Sequence, residues 1–377
     1  IEYMSQNIGE AVVNYLAKAF PENVRLIKVS FTSNGEPALN LKTIHVIKNR
    51  AKELCDAHPT LPRFKFNFAT NGTIISEKDL VELAQDPSQD IFFSIDGYPE
   101  LHDQIRTLCG GRSTYQQVQS KISFYKQQAI SSGKKLTCST VLTALNDHYD
   151  LVLLHLSDMG FDGIVTRPIR GSNDTPLGLN AKSVNVFVNG YRKMIDLIEH
   201  DAMYSEGELL RKVCNRYDFF GRLFTALILG EERQQGCPGC PPGYSDITKY
   251  SLVFDINGDV YVPCRDFIGL PDYFLGNIFG SVDLNKATNI LDPIKTENRS
   301  TCSNCWASSL CGGGCYNAAL LSTGQIWEPD RNLCQIITYV AERAVTLAHD
   351  LAIAKAGFLH DLINLAQKTS PWHKTTW

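Results

Sequence analysis

Eight of the chain's twelve cysteines fall between Cys237 and Cys334, and that crowding constrains the fold more than any other feature. The run reads Cys237-x2-Cys240, Cys264, Cys302-x2-Cys305-x5-Cys311-x3-Cys315 and Cys334, enough sulfur for two four-coordinate sites. No histidine lies between residues 201 and 348, so every soft ligand of this segment is a thiol. Mixed cysteine–histidine zinc fingers are thereby disfavoured, which leaves all-cysteine zinc sites, iron–sulfur clusters or disulfides. Disulfides call for a secretory route, and no signal peptide opens the sequence. Spacing alone does not separate zinc from iron. The stretch Cys311-Gly312-Gly313-Gly314-Cys315 leans toward a cluster, because glycines let the backbone approach and turn its N–H groups toward sulfur.

Composition narrows the class of protein. With 377 residues, 44% of them hydrophobic and 10% aromatic, the chain can bury one large or two ordinary cores. Its 36 basic and 40 acidic residues leave a net charge of -4, without an electrostatic footprint for nucleic acid or an anionic membrane. No apolar run is long enough to span a bilayer. A cytoplasmic protein is expected, with neither nucleic acid nor membrane as partner. The first residue is Ile1, not Met, so the natural start is expected upstream.

The first two hundred residues alternate helical and strand patterns. Helices are expected at 3–20, 40–57, 76–85, 114–131, 148–159 and 182–200, and strands at 25–32, 64–69, 91–95, 135–142 and 163–168. Strands separated by helices pair in parallel through right-handed crossovers, and ligands of such sheets sit at the carboxyl ends of the strands. Three polar sequences fall at those ends: Asn34-Gly35-Glu36-Pro37, Thr70-Asn71-Gly72-Thr73 and Ser94-Ile95-Asp96-Gly97. Each alone is also an ordinary turn former. Beyond residue 201 come a helical stretch at 206–230 and a hairpin at 250–264 turning at Asn257-Gly258. An amphipathic helix at about 331–366 closes the pattern.

Taken together these residues resemble a family. The last third resembles the SPASM domain of radical S-adenosylmethionine (SAM) enzymes that modify peptides and proteins. In that domain a hairpin Gly-x4-Cys precedes Cys-x2-Cys-x5-Cys-x3-Cys and a final Cys. Cys302, Cys305, Cys311, Cys315 and Cys334 match without adjustment, and the hairpin from Gly258 to Cys264 matches with one extra residue. Asn34-Gly35-Glu36-Pro37 resembles the Gly-Gly-Glu-Pro motif that holds the amino group of SAM. The Ser94–Gly97 stretch, followed by His102, Asp103 and Arg106, resembles the end of the family's fourth strand. Thr114 stands where the family often has a hydroxyl for the SAM carboxylate, and a helix N-terminus suits an anion.

The resemblance implies an α/β fold: a partial (β/α)6 TIM-like barrel without its first strand over 1–200. A helical connector over 201–236, a SPASM domain with a β-hairpin over 237–335, and a C-terminal helix and tail over 336–377 would follow. It implies an oxidoreductase that removes a hydrogen atom from a peptide or protein side chain with a 5′-deoxyadenosyl radical, forming a cross-link or oxidising a residue. Implied cofactors are SAM, held by Asn34, Gly35, Glu36, Pro37, Asn71, Ser94, Asp96 and Thr114, and two auxiliary [4Fe–4S] clusters. Cys237, Cys240, Cys264 and Cys315 would hold the first cluster, with Cys214 a competitor of Cys237. Cys302, Cys305, Cys311 and Cys334 would hold the second. A ferredoxin or flavodoxin would deliver low-potential electrons. Asp266, two residues past Cys264, is the candidate base; a salt-bridged surface carboxylate is its bland alternative.

Two departures from the family pattern stand out. The Cys-x3-Cys-x2-Cys motif of the SAM-cleaving cluster is absent, and Asn34 replaces the first Gly of Gly-Gly-Glu-Pro. The motif belongs after the first strand, so a third cluster is expected on a segment upstream of Ile1. A degenerate relative acting as a binding partner, and a zinc-stabilised scaffold, are the competing readings.

Overall fold

The computed structural model describes residues 2–19, 24–31, 35–169, 175–215, 217–231, 251–262 and 264–369. Asn34, Cys237, Cys240 and the tail from Pro371 onward lie outside the described residues.

Strands and helices alternate as the periodicity requires. In chain order they are α1 (Gln6–Ala19), β1 (Leu26–Phe31), α2 (Leu41–Ala57), β2 (Arg63–Thr70), α3 (Glu77–Gln85) and β3 (Gln89–Ser94). Then follow α4 (Pro99–Ile105), α5 (Tyr115–Ser131), β4 (Thr137–Leu142), α6 (Tyr149–Asp158), β5 (Gly163–Pro168) and α7 (Val184–Tyr204). The expected α/β partial barrel is present as five parallel strands. The chain folds into two compact units. One comprises Ile1–Ser94, Gln117–Lys134 and Asp246–Asp292; the other comprises Ile95–Gln116, Lys135–Ser245 and Pro293–Trp377.

In the first unit β1, β2 and β3 lie side by side, in register from Leu26 opposite Arg63 and from Phe66 opposite Gln89. Alternation in β2 buries Phe64, Phe66 and Phe68, and the first two join Val12, Val13, Leu16, Ile27, Ile47 and Ala51 in one core. The α3 helix starts on a capping box between Ser76 and Asp79, which satisfies two N–H groups reciprocally. The hairpin strands β6 (Val253–Phe254) and β7 (Asp259–Tyr261) are antiparallel and gain a third strand, β8 (Phe274–Asn277). They belong to the same unit: Phe254 meets Tyr15 edge-on with ring centroids 6.0 Å apart, and Ile278 packs on the same core.

In the second unit β4 and β5 pair in parallel from Thr137 opposite Gly163. The expected helical stretch at 206–230 divides into α8 (Glu208–Val213) and α9 (Phe219–Ile228). Asp218 starts α9 by accepting from the Gly221 N–H at 2.6 Å, and Asn215 Oδ1 accepts from the N–H groups of Tyr217 and Asp218. After the short helix α10 (Leu284–Leu291) of the first unit come α11 (Ser300–Ser303), α12 (Ser308–Cys311) and α13 (Tyr316–Thr323). The closing helix is two: α14 (Arg331–Ala354) and α15 (Ala356–Thr369), broken at Lys355 with φ -140° and ψ 48°. Arg343 of α14 anchors to α7 through Glu199 at 3.1 Å and Asp196 at 2.7 Å. No helix of the described residues is long and apolar enough to cross a membrane.

Candidate cofactor-binding site

Parallel pairing puts the carboxyl ends of β1, β2 and β3 on one edge, and the half-buried Glu36 carboxylate ties that edge together. Its Oε1 accepts from the Ala38 N–H at 3.2 Å and the Thr70 hydroxyl at 2.7 Å; its Oε2 accepts from the Asn71 N–H at 2.7 Å. Pro37 opens the short 3-10 turn that Glu36 caps. A carboxylate offers about four acceptor sites, so one position on Oε2 is left for a further donor. Asn71 spends its own side-chain oxygen locally, accepting from the Thr73 N–H at 2.9 Å and hydroxyl at 2.7 Å. Gly35 is exposed, and a Cβ built there meets no atom within 4 Å. Ser94 is the last residue of β3. A cation-accepting carboxylate beside open backbone fits the amino end of SAM.

Asp96, His102, Arg106 and Thr114 form a knot within the second unit. Buried Asp96 accepts from Arg106 Nε at 2.6 Å and from the Val141 N–H at 2.9 Å. The Asp96 N–H donates to His102 Nδ1 at 3.1 Å, so that nitrogen carries no proton. Thr114 donates its single hydroxyl proton to the Arg106 carbonyl at 2.7 Å, which makes His102 Nε2–H the donor in the 3.0 Å contact between His102 and Thr114. His102 is therefore neutral, in keeping with burial, which lowers its pKa. The N-terminus of α5 is also taken: Asp103 accepts from the N–H groups of Thr114 at 2.9 Å and Tyr115 at 3.0 Å.

No disulfide joins any two cysteines among the described residues. Cys302 and Cys334 each lie close enough to Cys305 and Cys311 to feel their charge. Burial, helped by the neighbouring Cys311 and Cys302 thiols, pushes Cys334 up to about 12. Burial also raises Cys302; the Arg299 guanidinium opposes the rise, while Cys311 and Cys305 add to it. Cys311-Gly312-Gly313-Gly314-Cys315 runs through three consecutive positive φ angles of 71°, 90° and 82°, a path that favours glycine throughout. Cys315 sits at the N-terminus of α13, its sulfur accepting from the Ala318 N–H at 3.5 Å. Among the described residues no three His, Cys, Asp or Glu side chains form a group that could hold a single metal ion. Four thiols, one of them acted on by the buried Arg299 cation, suit the ligand set and negative charge of a [4Fe–4S] cluster.

Cys264 is buried in the first unit and belongs with Asp266, whose carboxylate lies 4.0 Å from its sulfur and 3.6 Å from Arg265 Nε. Cys214 is buried in the second unit, its sulfur 3.6 Å from the Thr225 hydroxyl.

No family model matches the chain. A cysteine-type anaerobic sulfatase-maturating enzyme of Clostridium novyi is 25% identical over 264 residues, 66% of this chain and 63% of that protein. The match thus spans less than two thirds of that relative's length. Among solved structures, native anSMEcpe with bound AdoMet and Cp18Cys peptide superposes with a TM-score of 0.72 at 20% identity, covering 97% of this chain and 91% of the other. Streptococcus suis SuiB bound to precursor peptide SuiA gives 0.54 at 17% identity, over 86% of this chain and 69% of its own. The fold is the radical SAM partial barrel.

Three participants carry no assigned role in the sequence. Thr70 clamps Glu36, and only its place at a strand end could have signalled it. Asp103 fills the helix N-terminus proposed for an anion; an acidic residue eleven positions before Thr114 gives no local cue. Arg299 is the third, a cation that holds the Gly313 carbonyl of the Cys311–Cys315 loop and acts on the Cys302 thiol, in a stretch that reads as exposed loop. The Asp103 carboxyl feels burial, which raises its pKa, but hydrogen bonds from the Ser113 hydroxyl and the Thr114 and Tyr115 N–H groups outweigh it and hold the carboxyl below its usual range. A depressed carboxyl pKa stabilises the fold above the unfolded value of ~3.9, and the benefit is lost as pH falls through the folded value. Asp103→Ala is accordingly expected to cost about 1 kcal/mol at neutral pH. In urea unfolding the deficit should shrink below pH ~3.9; an equal deficit at both pH values would reject this role for the carboxylate.

Proposed function

We propose that this chain is a radical SAM enzyme that modifies a peptide or protein side chain, with two auxiliary [4Fe–4S] clusters in its cysteine-rich part. The observation that carries the reading is Glu36, held at the strand ends by Ala38, Thr70 and Asn71 with an acceptor to spare. Gly35, Glu36, Pro37, Asn71 and Ser94 bind SAM, together with Asn34. Glu36 accepts from its ammonium, and Gly35 leaves room for it. Asp96 and Thr114 act as positioning residues, since their polar atoms hold Arg106, His102 and the β4 backbone.

Cys302, Cys305, Cys311 and Cys334 hold one auxiliary cluster; Cys264 and Cys315, with Cys237 and Cys240, hold the other. Bound with a reduced cluster, SAM supplies hydrogen-atom abstraction from an unactivated C–H bond, and the protein's task is to position that bond and exclude water. Clusters held by these cysteines would accept the electron that the substrate radical gives up as its oxidation completes, and a ferredoxin or flavodoxin would supply the starting electron. Asp266 takes the proton that substrate oxidation releases. The peptide ligands of the two solved neighbours support a peptide substrate.

Three measurements test this reading. Anaerobically purified chain should contain about eight irons with matching acid-labile sulfide. A gene product that also carried the SAM-cleaving cysteine motif, which is not among these 377 residues, should contain about twelve. Zinc without sulfide would leave a scaffold, and eight irons in both would leave a binding partner. Gly35→Ala should keep the thermal midpoint and weaken SAM binding roughly tenfold or more; unchanged affinity moves SAM elsewhere. Asp266→Asn should abolish product while SAM cleavage continues, and normal product would remove Asp266 from the chemistry.

A further inference from the structure

Arg299 is 5% exposed, and its guanidinium is fixed by two carbonyls: Nη1 donates to Gly313 O at 2.9 Å and Nη2 to Ile294 O at 2.6 Å. Its buried Nε–H has no partner, and among the described residues no carboxylate lies within ion-pair distance of it. Glu328, which lines one cavity together with Arg299, pairs instead with Arg331 at 3.2 Å. Asp330 caps α14 through the N–H groups of Asn332 and Leu333. A buried cation without a counter-charge is expensive, yet the fold packs closely around this one. A Cβ on Gly313 would come within 1.8 Å of Arg299 Nη2, so this glycine of the Cys311–Cys315 loop is required by the guanidinium.

Cys302 stands three residues on, at the end of the hydrogen bond from its N–H to the Arg299 carbonyl (2.9 Å). A cluster on four thiolates carries net negative charge, which grows on reduction, and nearby charge and hydrogen bonds to sulfur set its potential. We infer that Arg299 is the built-in counter-charge of the cluster held by Cys302, Cys305, Cys311 and Cys334, fixing the glycine loop with its two Nη donors and raising that cluster's reduction potential. Its Nε–H is the donor left for a sulfur. The inference rests on the two-cluster reading above, and the test separates the two.

Iron and sulfide are first counted in the native chain, and its cluster couples are then titrated with an electrode and mediators under anaerobic conditions. Native chain without sulfide overturns the cluster reading, and this inference with it. With both clusters present, Arg299→Gln should make one couple about tenfold harder to reduce, a fall of about 59 mV for one electron, and leave the other unmoved. A fully loaded Arg299→Gln chain with both couples unchanged overturns the inference while the cluster reading stands. If Arg299→Gln loses iron, Arg299→Lys decides. Iron recovered by the lysine supports the counter-charge, whereas equal loss in both variants assigns Arg299 to packing alone and overturns it.

Discussion

Strands and helix N-termini both leave backbone N–H groups that neither ladder nor helix pairs, and each must find an acceptor. This protein answers with carboxylates. Glu36 takes the Asn71 N–H, Asp96 takes Val141, Asp103 takes Thr114 and Tyr115, and Asp218 takes Thr166 at 2.7 Å and Gly221. One device thus recurs in both compact units: Glu36 uses it at a strand end, Asp96 and Asp218 along strands, and Asp103 and Asp218 at helix N-termini. It also separates the acids by role. Asp96 and Asp218 are buried, and burial raises the Asp218 pKa despite its donors, whereas half-buried Glu36 keeps solvent access. An acid that is both fixed and reachable is the one suited to meet a cationic ligand.

Much of the barrel was legible because its signals are local and repeated. The alternation of Phe64, Phe66 and Phe68 specifies a half-buried strand whatever surrounds it, and β5 falls on the expected residues. The losses have physical causes. The seven-residue α4 is shorter than two full turns and carries no sustained periodicity. The four-residue β8 exists only because β7 offers an unpaired edge. The closing helix keeps one apolar pattern through Lys355, where the backbone leaves helical geometry, so the sequence pattern extends across a break that only the backbone reveals.

The site shows the same division. Glu36 was legible because Gly, Glu and Pro leave the chain few choices, and the four cysteines because thiols at such spacing have few other uses. Thr114 illustrates the converse. A hydroxyl at a helix N-terminus is a sound place for an anion, but the chain brings its own anion, Asp103, from a neighbouring helix, and the hydroxyl proton goes to the Arg106 carbonyl. The hydroxyl is visible in sequence; the competing carboxylate comes from tertiary structure.

The glycine loop shows most sharply how tertiary surroundings divide residues that look alike in sequence. From sequence, Gly312, Gly313 and Gly314 are three equal reasons to expect the backbone close to sulfur. In the structure all three have positive φ, but their surroundings differ: a Cβ at Gly314 would meet nothing within 4 Å, whereas one at Gly313 would strike Arg299. Gly314 answers to backbone conformation alone, and Gly313 to conformation and to a buried charge. Arg299 itself lies in Lys295-Thr296-Glu297-Asn298-Arg299, a stretch indistinguishable by composition from exposed loop. Its burial follows from the Ile294 and Gly313 carbonyls converging on it, a long-range condition that no local pattern encodes.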